Sequence, residues 1–178
     1  MTCLVAIAEN EDGISVLGSD SAMTCGQDID RVRMPKVFEL KTKLTEEYEC
    51  GLPLTMALAV AGGTRVGQTI KYLLELPYYH YDERNFDNDM EWLVSHFIER
   101  LRKTLGEHGC KKVDDGIEEI QDYSKILILL HGRVYSIWYD FQVGTYDLGF
   151  YAIGSGEDLA RGCLFGNQGL KKPVDRVV

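Results

Sequence analysis

The chain has little of what marks membrane, secreted or nucleic-acid-binding proteins. Its 178 residues contain no apolar run near the roughly 20 residues that span a bilayer, and its N-terminus has neither the basic segment nor the cleavage site of a signal peptide. Lys and Arg number 19 against 28 Asp and Glu, for a net charge of -9. Because phosphate neutralisation supplies much of the affinity for nucleic acid, this balance argues against that partner. The sequence predicts a cytoplasmic protein without membrane contact.

Paired cysteines and clustered histidines are also absent from the sequence. Five cysteines stand apart from one another with no CxxC spacing: Cys3, Cys25, Cys50, Cys110 and Cys163. An odd number without close pairs argues against a disulfide framework or a zinc site. The four histidines share no metal-ligand spacing, so we expect residues such as His96 and His131 to be structural or surface histidines. No metal or organic cofactor is predicted.

The first part of the chain is rich in strand patterns. Residues 2–8 and 13–19 flank an Asn-Glu-Asp turn and predict a hairpin. The polar residues 21–31 predict a loop. Strands are expected at 36–41 and at 54–60, where a short, dense apolar run ends at a pair of glycines.

Helical spacing replaces the strand pattern in the middle of the chain. Apolar residues three and four apart predict a helix over 66–76, which Pro77 ends. A second helix is predicted over 90–105, with Asn88 or Asp89 as its N-cap.

The last third of the chain returns to strands. The acidic residues 111–121 predict a surface excursion, and 126–130 with 134–139 predict a second hairpin. A strand is expected at 150–153 and a helix at 157–164. Strands, two helices, strands and a helix in that order indicate an α+β protein with antiparallel hairpins rather than alternating βαβ units.

The final residues resemble the start of a further helix. Residues 173–178 begin with a proline, which favours the first turn of a helix, and continue as a short amphipathic run. We therefore expect one domain over residues 1–178, with a natural chain that continues past Val178 and supplies a C-terminal helix and strands.

The second residue is a threonine, and it follows the initiator methionine directly. Removal of Met1 makes Thr2 the N-terminal residue, with a hydroxyl nucleophile and an α-amine in one place. That amine has a reference pKa of roughly 7.7–8.0, so part of it is neutral near neutral pH and can accept a proton. Thr2 is thus a candidate nucleophile that carries its own base, although many ordinary proteins also begin Met-Thr.

Five short motifs follow one another in a fixed order along the chain. They are Thr2 at the start of a strand, Gly18–Thr24, Lys36–Leu40, Val60–Thr64 and Ala152–Gly156. Together they resemble the proteasome β-subunit branch of the N-terminal-nucleophile hydrolases, and the stretch Asp140–Gly144 is most similar to small proteasome-like proteins of bacteria and phages. The resemblance covers nearly the whole chain. It implies a four-layer αββα sandwich, in which two antiparallel sheets lie between helical layers.

The resemblance also implies roles for residues around Thr2. Thr2 matches the nucleophile, whose α-amine acts as base directly or through a water. Lys36 matches a lysine beside the nucleophile that helps keep the amine neutral, and Asp20 matches the carboxylate that holds this lysine. Read without the resemblance, Thr2 merely starts a strand, and Asp20 and Lys36 are surface charges. Their positions at strand ends favour a site.

Two further motif residues complete the implied site. Gly62 matches the glycine whose N–H forms the oxyanion hole, and Gly63 takes that role if the register is shifted by one. Ser155 matches a serine near the Thr amine, and Ser21 is a weaker candidate for the same pocket. The glycines also suit a tight turn, and Ser155 also suits a helix N-cap.

The sequence departs from the family pattern in two ways, and Met1 adds a condition. A further acidic residue that the family places beyond the late helix has no counterpart before Val178. Cys3 stands where larger ring proteases have a small hydroxylated residue, which leaves cleavage to a mature Cys3 as a minor alternative. Finally, retention of Met1 leaves Thr2 without a free amine and therefore without its base.

The resemblance predicts a threonine-type peptidase or amidase that cleaves peptide or amide bonds through an acyl-Thr2 intermediate. It implies a homo-oligomer in the form of a ring, double ring or open spiral, with residues 66–76 and the aromatic turn after them as contact surfaces. An unfolding ATPase is a possible partner. Two alternatives stay open: a small-molecule amidase on the same fold, and a catalytically silent scaffold or assembly protein.

Overall fold

A computed structural model describes residues 2–8, 15–25, 28–31, 36–42, 54–81 and 83–167, with backbone alone at residues 22–25 and 28–31. The predicted turn at 10–13 and the predicted helix start at 173–178 lie outside the described residues. None of the described helices is long and apolar enough to cross a membrane.

The described strands and helices follow the predicted order. The strands are β1 Leu4–Ala8, β2 Ser15–Ser19, β3 Ala22–Cys25, β4 Asp28–Arg31, β5 Val37–Lys41, β6 Thr55–Ala61, β7 Lys111–Asp114, β8 Ile117–Ile120, β9 Lys125–Leu130, β10 Arg133–Ile137, β11 Val143–Thr145 and β12 Phe150–Ile153. The helices are α1 Thr64–Leu73, α2 Phe86–Trp92, α3 Ile98–Glu107 and α4 Glu157–Gly166. A π-helical segment, Leu93–Phe97, joins α2 to α3.

Two antiparallel sheets carry most of the strands. The smaller sheet has the order β12-β1-β2, and the larger has the order β11-β10-β9-β6-β5. Two separate ribbons, β3 with β4 and β7 with β8, complete the described strands. The predicted hairpins at the start of the chain and at 126–139 are both confirmed as β1–β2 and β9–β10.

Three hydrophobic clusters show how the layers stack. One cluster fills the space between the larger sheet and helices α1 to α3, a second lies between the two sheets, and a third lies between the smaller sheet and α4. Strand β9 shows the arrangement well, since Ile126 and Ile128 face the helices while Leu127 and Leu129 face the other sheet. The predicted α+β, four-layer αββα architecture is therefore confirmed.

The pairing registers bring the ends of several strands to one edge of the sandwich. Leu4 pairs with Ile153 and with Ser19, so the start of β1 lies beside the ends of β12 and β2. In the other sheet Val37 pairs with Ala59, so the start of β5 lies beside the end of β6. Residues that directly precede or follow these strand ends are consequently gathered at this edge.

The prediction of a loop over residues 21–31 is wrong, because β3 and β4 pair there as a two-stranded ribbon. This ribbon is part of neither the three-stranded nor the five-stranded sheet. It therefore does not require the alternation of apolar and polar residues on which the strand predictions rested.

The acidic stretch 111–121 is a hairpin rather than an irregular excursion. Strands β7 and β8 meet at Asp115 and Gly116, both of which have positive φ angles of 45° and 81°. Asp-Gly is a preferred pair for such a two-residue turn, so the sequence itself carries a hairpin signal at this point. Val113 in β7 is exposed, as expected for a surface segment, whereas Ile120 in β8 is fully buried.

Helix α1 ends at Leu73, three residues before the predicted end, and Leu74 has an extended backbone. Pro77 explains the earlier end, because a proline ring clashes with the helical carbonyl four residues before it and disfavours helix at the preceding residue. Leu74 and Leu76 remain buried all the same, so their apolar spacing resembled a longer helix.

The second predicted helix starts earlier than expected and contains an irregularity. Its N-cap is Asn85, whose side-chain oxygen accepts a hydrogen bond from the Asn88 N–H at 2.9 Å, and not Asn88 or Asp89. The first turn of this helix is mostly polar, so the apolar spacing did not indicate where the helix begins. The π-helical segment then rotates the apolar stripe, so Leu93 is buried while Val94 is 54% exposed.

The helix carries a buried carboxylate that joins it to the larger sheet. Asp89 has no exposed surface and accepts hydrogen bonds from Tyr79 at 2.7 Å, Tyr135 at 3.2 Å and Arg133 at 3.1 Å. His131 Nδ1 lies 2.7 Å from the same carboxylate, which makes it a structural histidine, as expected. Burial alone would raise the pKa of Asp89, but the hydrogen bonds from His131 and the tyrosines outweigh it and lower the pKa.

We predict that Asp89→Asn lowers the free energy of unfolding by about 3 kcal/mol, because it breaks a buried charged network. Since the folded pKa is lowered, the carboxylate stabilises the fold above its unfolded pKa and loses this effect as pH falls through the folded pKa. The deficit measured by urea unfolding should therefore shrink in acid. Asp87→Asn, an exposed change on the same helix, is the control, and equal effects of the two changes would contradict the prediction.

Candidate active site

Thr2 lies just before β1, at the edge where the strand ends meet. Its carbonyl oxygen accepts a hydrogen bond from the Gly156 N–H at 3.2 Å, and the Cys3 carbonyl accepts one from the Asp20 N–H at 3.1 Å. The chain is thus held on both sides before β1 begins. Thr2 itself is partly exposed, so its side chain can be reached from solvent.

Lys36 and Asp20 lie next to Thr2. The Lys36 Nζ is 3.3 Å from the Thr2 Oγ1 and 2.9 Å from the Asp20 Oδ1. The same carboxylate oxygen accepts the Cys3 N–H at 2.8 Å. The side chains of Lys36 and Asp20 are only 16% and 29% exposed, so both charges lie at a half-buried site rather than on open surface.

Ser155 approaches Thr2 from the other side. Its Oγ accepts a hydrogen bond from the Thr2 nitrogen at 2.9 Å and lies 3.4 Å from the Thr2 carbonyl oxygen. The turn that presents Ser155 depends on Gly154, whose φ is +103°. A Cβ at Gly154 would lie 2.9 Å from the Thr2 carbonyl carbon, so only glycine lets the two segments approach this closely.

The glycine pair follows β6 and precedes α1. Gly62 has a φ of +122°, and a Cβ there would lie 2.7 Å from the Cα of Ser124. The Gly63 N–H donates to the Ser124 Oγ at 2.9 Å. Because this N–H is already bound, Gly62 is a better candidate for an oxyanion donor than Gly63.

The structure therefore brings Thr2, Lys36, Asp20 and Ser155 into direct contact and places Gly62 at the same edge. Their catalytic roles stay predictions. Ser21 follows Asp20 and is exposed, and the described contacts give it no part in this network.

Two charged residues near the site were missed from the sequence. Lys125 Nζ lies 3.3 Å from Glu157 Oε2, and this carboxylate accepts the Gly154 N–H at 3.1 Å. Lys125 also lies over the Trp138 ring, 4.5 Å from its centroid. The pair thus supports the turn that carries Ser155. No motif signals it, because the partners are far apart in sequence and each fits an ordinary strand or helix start.

Cys3 is a poor rival to Thr2 as nucleophile. Burial, followed by the negative charge of Asp20, raises the pKa of its thiol, while Lys36 acts in the opposite direction. A thiol with a raised pKa holds little of the reactive thiolate at neutral pH. The alternative of a mature Cys3 therefore gains no support from the surroundings of the thiol.

No group of three or more His, Cys, Asp or Glu residues in the described ranges is placed to hold a metal ion. The chemistry of the contacts around Thr2 is that of a hydroxyl, a lysine and a carboxylate. This combination can activate and orient a nucleophile.

Comparison with known proteins identifies the fold. No family model and no curated protein sequence matches the chain. BPH from Thiobacillus denitrificans matches with a TM-score of 0.62 at 18% identity over 97% of this chain and 81% of BPH. The same protein in complex with epoxomicin matches with a TM-score of 0.64 at 17% identity, with the same coverage.

A eukaryotic HslV from Trypanosoma brucei also matches, with a TM-score of 0.57 at 14% identity over 98% of this chain and 84% of that protein. At such identities these likenesses show the fold. The proteasome-like fold implied by the sequence resemblance is thereby confirmed.

We predict that Gly154→Ala destabilises the protein by about 1–3 kcal/mol, because a side chain would be forced into a positive φ and against Thr2. Gly162→Ala is the matched control, since nothing lies within 4 Å of a Cβ at this exposed position in α4. At position 162 the higher helix propensity of alanine should raise the free energy of unfolding by about 0.5–1 kcal/mol. Urea unfolding of both variants measures the difference, and a harmless Gly154→Ala change would rule out this close approach.

Proposed function

We propose that this chain is an N-terminal threonine hydrolase that cleaves peptide or amide bonds through an acyl-Thr2 intermediate. The observation that carries the proposal is the contact of 3.3 Å between Lys36 Nζ and Thr2 Oγ1, with Asp20 on the far side of the lysine. A strand-initiating threonine on a scaffold has no need of a half-buried lysine and carboxylate.

In the proposed reaction the Thr2 Oγ attacks the carbonyl carbon and its proton passes to the α-amine freed by removal of Met1. The oxygen of the tetrahedral intermediate gains a negative charge, which the Gly62 N–H stabilises. The proton then moves to the leaving nitrogen as the C–N bond breaks. A water molecule finally attacks the acyl ester, releases the acid and restores Thr2.

The surrounding groups have distinct tasks in this scheme. Lys36 donates a hydrogen bond to the attacking oxygen and disfavours a second positive charge on the amine, so the amine stays able to accept a proton. Ser155 holds the Thr2 nitrogen in place from 2.9 Å. Asp20 keeps the lysine oriented through the contact of 2.9 Å.

We further propose that the active form is a homo-oligomer: a ring, a double ring or an open spiral. Helix α1 supports its assignment as a contact surface, since Tyr72 is 66% and Leu73 is 48% exposed and exposed apolar groups favour partner contacts. Peptides are the proposed substrates, and an ATPase is a proposed partner. A scaffold without activity is the outcome expected if Thr2 never gains a free amine.

Removal of Met1 provides the first test. We predict that protein lacking Met1, as judged by intact mass, reacts with epoxomicin, the compound bound in one BPH structure, and hydrolyses fluorogenic peptide amides. Thr2→Ser should keep much of this reactivity because it retains hydroxyl and amine, whereas Thr2→Ala should abolish it.

A form that retains one residue before Thr2 serves as the control for the amine. It keeps the hydroxyl and the fold but lacks the base, so it should be inactive. Full retention of Met1 in cells, or equal reactivity of Thr2→Ala, would favour the scaffold instead.

The lysine gives an independent prediction. Lys36→Ala should lower the rate of peptide amide hydrolysis by about 10²-fold or more, as expected for a group that assists proton transfer. Lys41→Ala removes a 67% exposed lysine from β5, the strand that Lys36 directly precedes, and should leave the rate unchanged. If both variants match the unmodified protein, Lys36 has no part in the reaction.

A further inference from the structure

A buried serine lies against the glycine pair at the end of β6. Ser124 has no exposed surface and directly precedes β9. Since Ala61 pairs with Lys125 in the larger sheet, Ser124 is beside Gly62. A Cβ on Gly62 would lie 2.7 Å from the Ser124 Cα and 2.9 Å from its Cβ.

We infer that Ser124 is a positioning residue that fixes the peptide after Gly62 and thereby holds the Gly62 N–H in place for the oxyanion. The inference rests on the proposed function. It adds a residue that touches neither Thr2 nor the reacting atoms and acts through the backbone of the glycine pair.

The hydroxyl of Ser124 both donates and accepts a hydrogen bond. Its proton is donated to the Gln121 carbonyl at 2.8 Å, so a lone pair is left for the Gly63 N–H at 2.9 Å. The peptide group between Gly62 and Gly63 is therefore held on one side by a side chain whose own orientation is fixed.

The turn that carries Ser124 is itself anchored. The Gln121 N–H donates to the Cys110 carbonyl at 2.9 Å, and the preceding Ile120 N–H donates to the Tyr139 carbonyl at 2.6 Å. Cys110 and Ile120 are both fully buried.

The backbone of this turn is unusual. Asp122 and Tyr123 have φ angles of +58° and +49°, a conformation that residues with side chains adopt at a cost. An ordinary connection into β9 would not need two such residues in succession. Their strain is consistent with a turn whose shape is set by what it supports.

Gly62 is held from both ends as a result. The peptide before it belongs to the end of β6, which pairs with β9, and the peptide after it is fixed by Ser124. Among the hydrogen bonds of the described residues, none uses the Gly62 N–H, whereas the Gly63 N–H is occupied. One donor is thus left available and its direction is set.

Loss of the Ser124 hydroxyl frees the peptide after Gly62 to rotate. Misplacement of a catalytic group by about 1 Å can cost about 10²-fold in rate, and loss of an oxyanion donor costs about 10²–10³-fold in kcat. Because the negative oxygen forms only in the transition state, kcat should fall while KM changes little.

The test compares Ser124→Ala with Ser136→Ala in protein lacking Met1. Ser136 is also buried, lies in the same sheet and bonds to a side chain, the Tyr146 hydroxyl at 2.7 Å. We expect Ser124→Ala to lower kcat for a fluorogenic peptide amide roughly 10- to 100-fold with little change in KM. Ser136→Ala should leave both constants unchanged.

Hydrogen exchange gives a readout that does not depend on activity. The peptide spanning residues 60–66 should lose protection in Ser124→Ala, because the Gly63 N–H loses its acceptor. Ser124→Cys keeps an acceptor at the γ position but a larger and weaker one, and its kcat should fall between that of the parent protein and that of Ser124→Ala. This variant carries the test if Ser124→Ala does not fold.

The outcomes separate this inference from the proposed function. An active parent protein whose kcat and exchange are unaffected by Ser124→Ala or Ser124→Cys overturns the inference alone. Equal losses in Ser124→Ala and Ser136→Ala would show a general effect of core damage and also overturn it. A parent protein without Met1 that neither hydrolyses peptides nor reacts with epoxomicin overturns both.

Discussion

One carboxylate oxygen ties the two sheets together at the site. The Asp20 Oδ1 accepts the Cys3 N–H within the smaller sheet and Lys36 Nζ from the larger one. The distance from Lys36 to Thr2 therefore depends on how closely the sheets approach. Small residues on the facing surfaces, among them Ala6, Ala59 and Ala61, allow that approach, because larger side chains there would push the sheets apart.

The Lys36–Asp20 pair is poorly explained as a source of stability. Ion pairs near the surface contribute about 0–1 kcal/mol, and burying charges incurs a desolvation cost that their attraction barely offsets. What the pair does provide is a defined place for a positive charge, next to a hydroxyl and a backbone nitrogen. The fold is kept by the three apolar clusters, so the pair is available for chemistry.

Much of this arrangement could be predicted from the sequence, and the missing part has a physical reason. The apolar run from Ile126 to Leu130 predicted one strand of a hairpin, and the structure has it as β9 with both faces buried. The candidate site residues stood at the ends of predicted strands. Ser124, Lys125 and Glu157 could not be found in this way. Ser124 bonds to Gly63, and Lys125 pairs with Glu157, between segments distant in sequence. Such pairing follows from the way the strands are arranged in the sheet rather than from a local pattern. Glu157 accepts the N–H of Gly154, three residues before it, but in sequence it fits an ordinary helix start. The Asn85 cap was missed because the polar first turn precedes the apolar stripe. The π-helical segment was missed because the stripe runs through it, with Leu93 and Phe97 both buried, as it would in an uninterrupted α-helix.

The two glycine turns show how the site combines rigidity with charge. Each ends a strand, has a positive φ and is followed directly by a helix, α1 after Gly62–Gly63 and α4 after Gly154–Gly156. Helix N-termini carry a partial positive charge of about half a unit. At α4 two acidic residues in the first turn offset it, whereas the first turn of α1 has none. The nearby Asp122 is exposed, so solvent and salt weaken its opposing field. The proposed reaction places its negative oxygen at the turn with Gly62, where the first turn of the following helix has no acidic residue, and its proposed base, the Thr2 nitrogen, beside the turn that leads into Glu157 and Asp158.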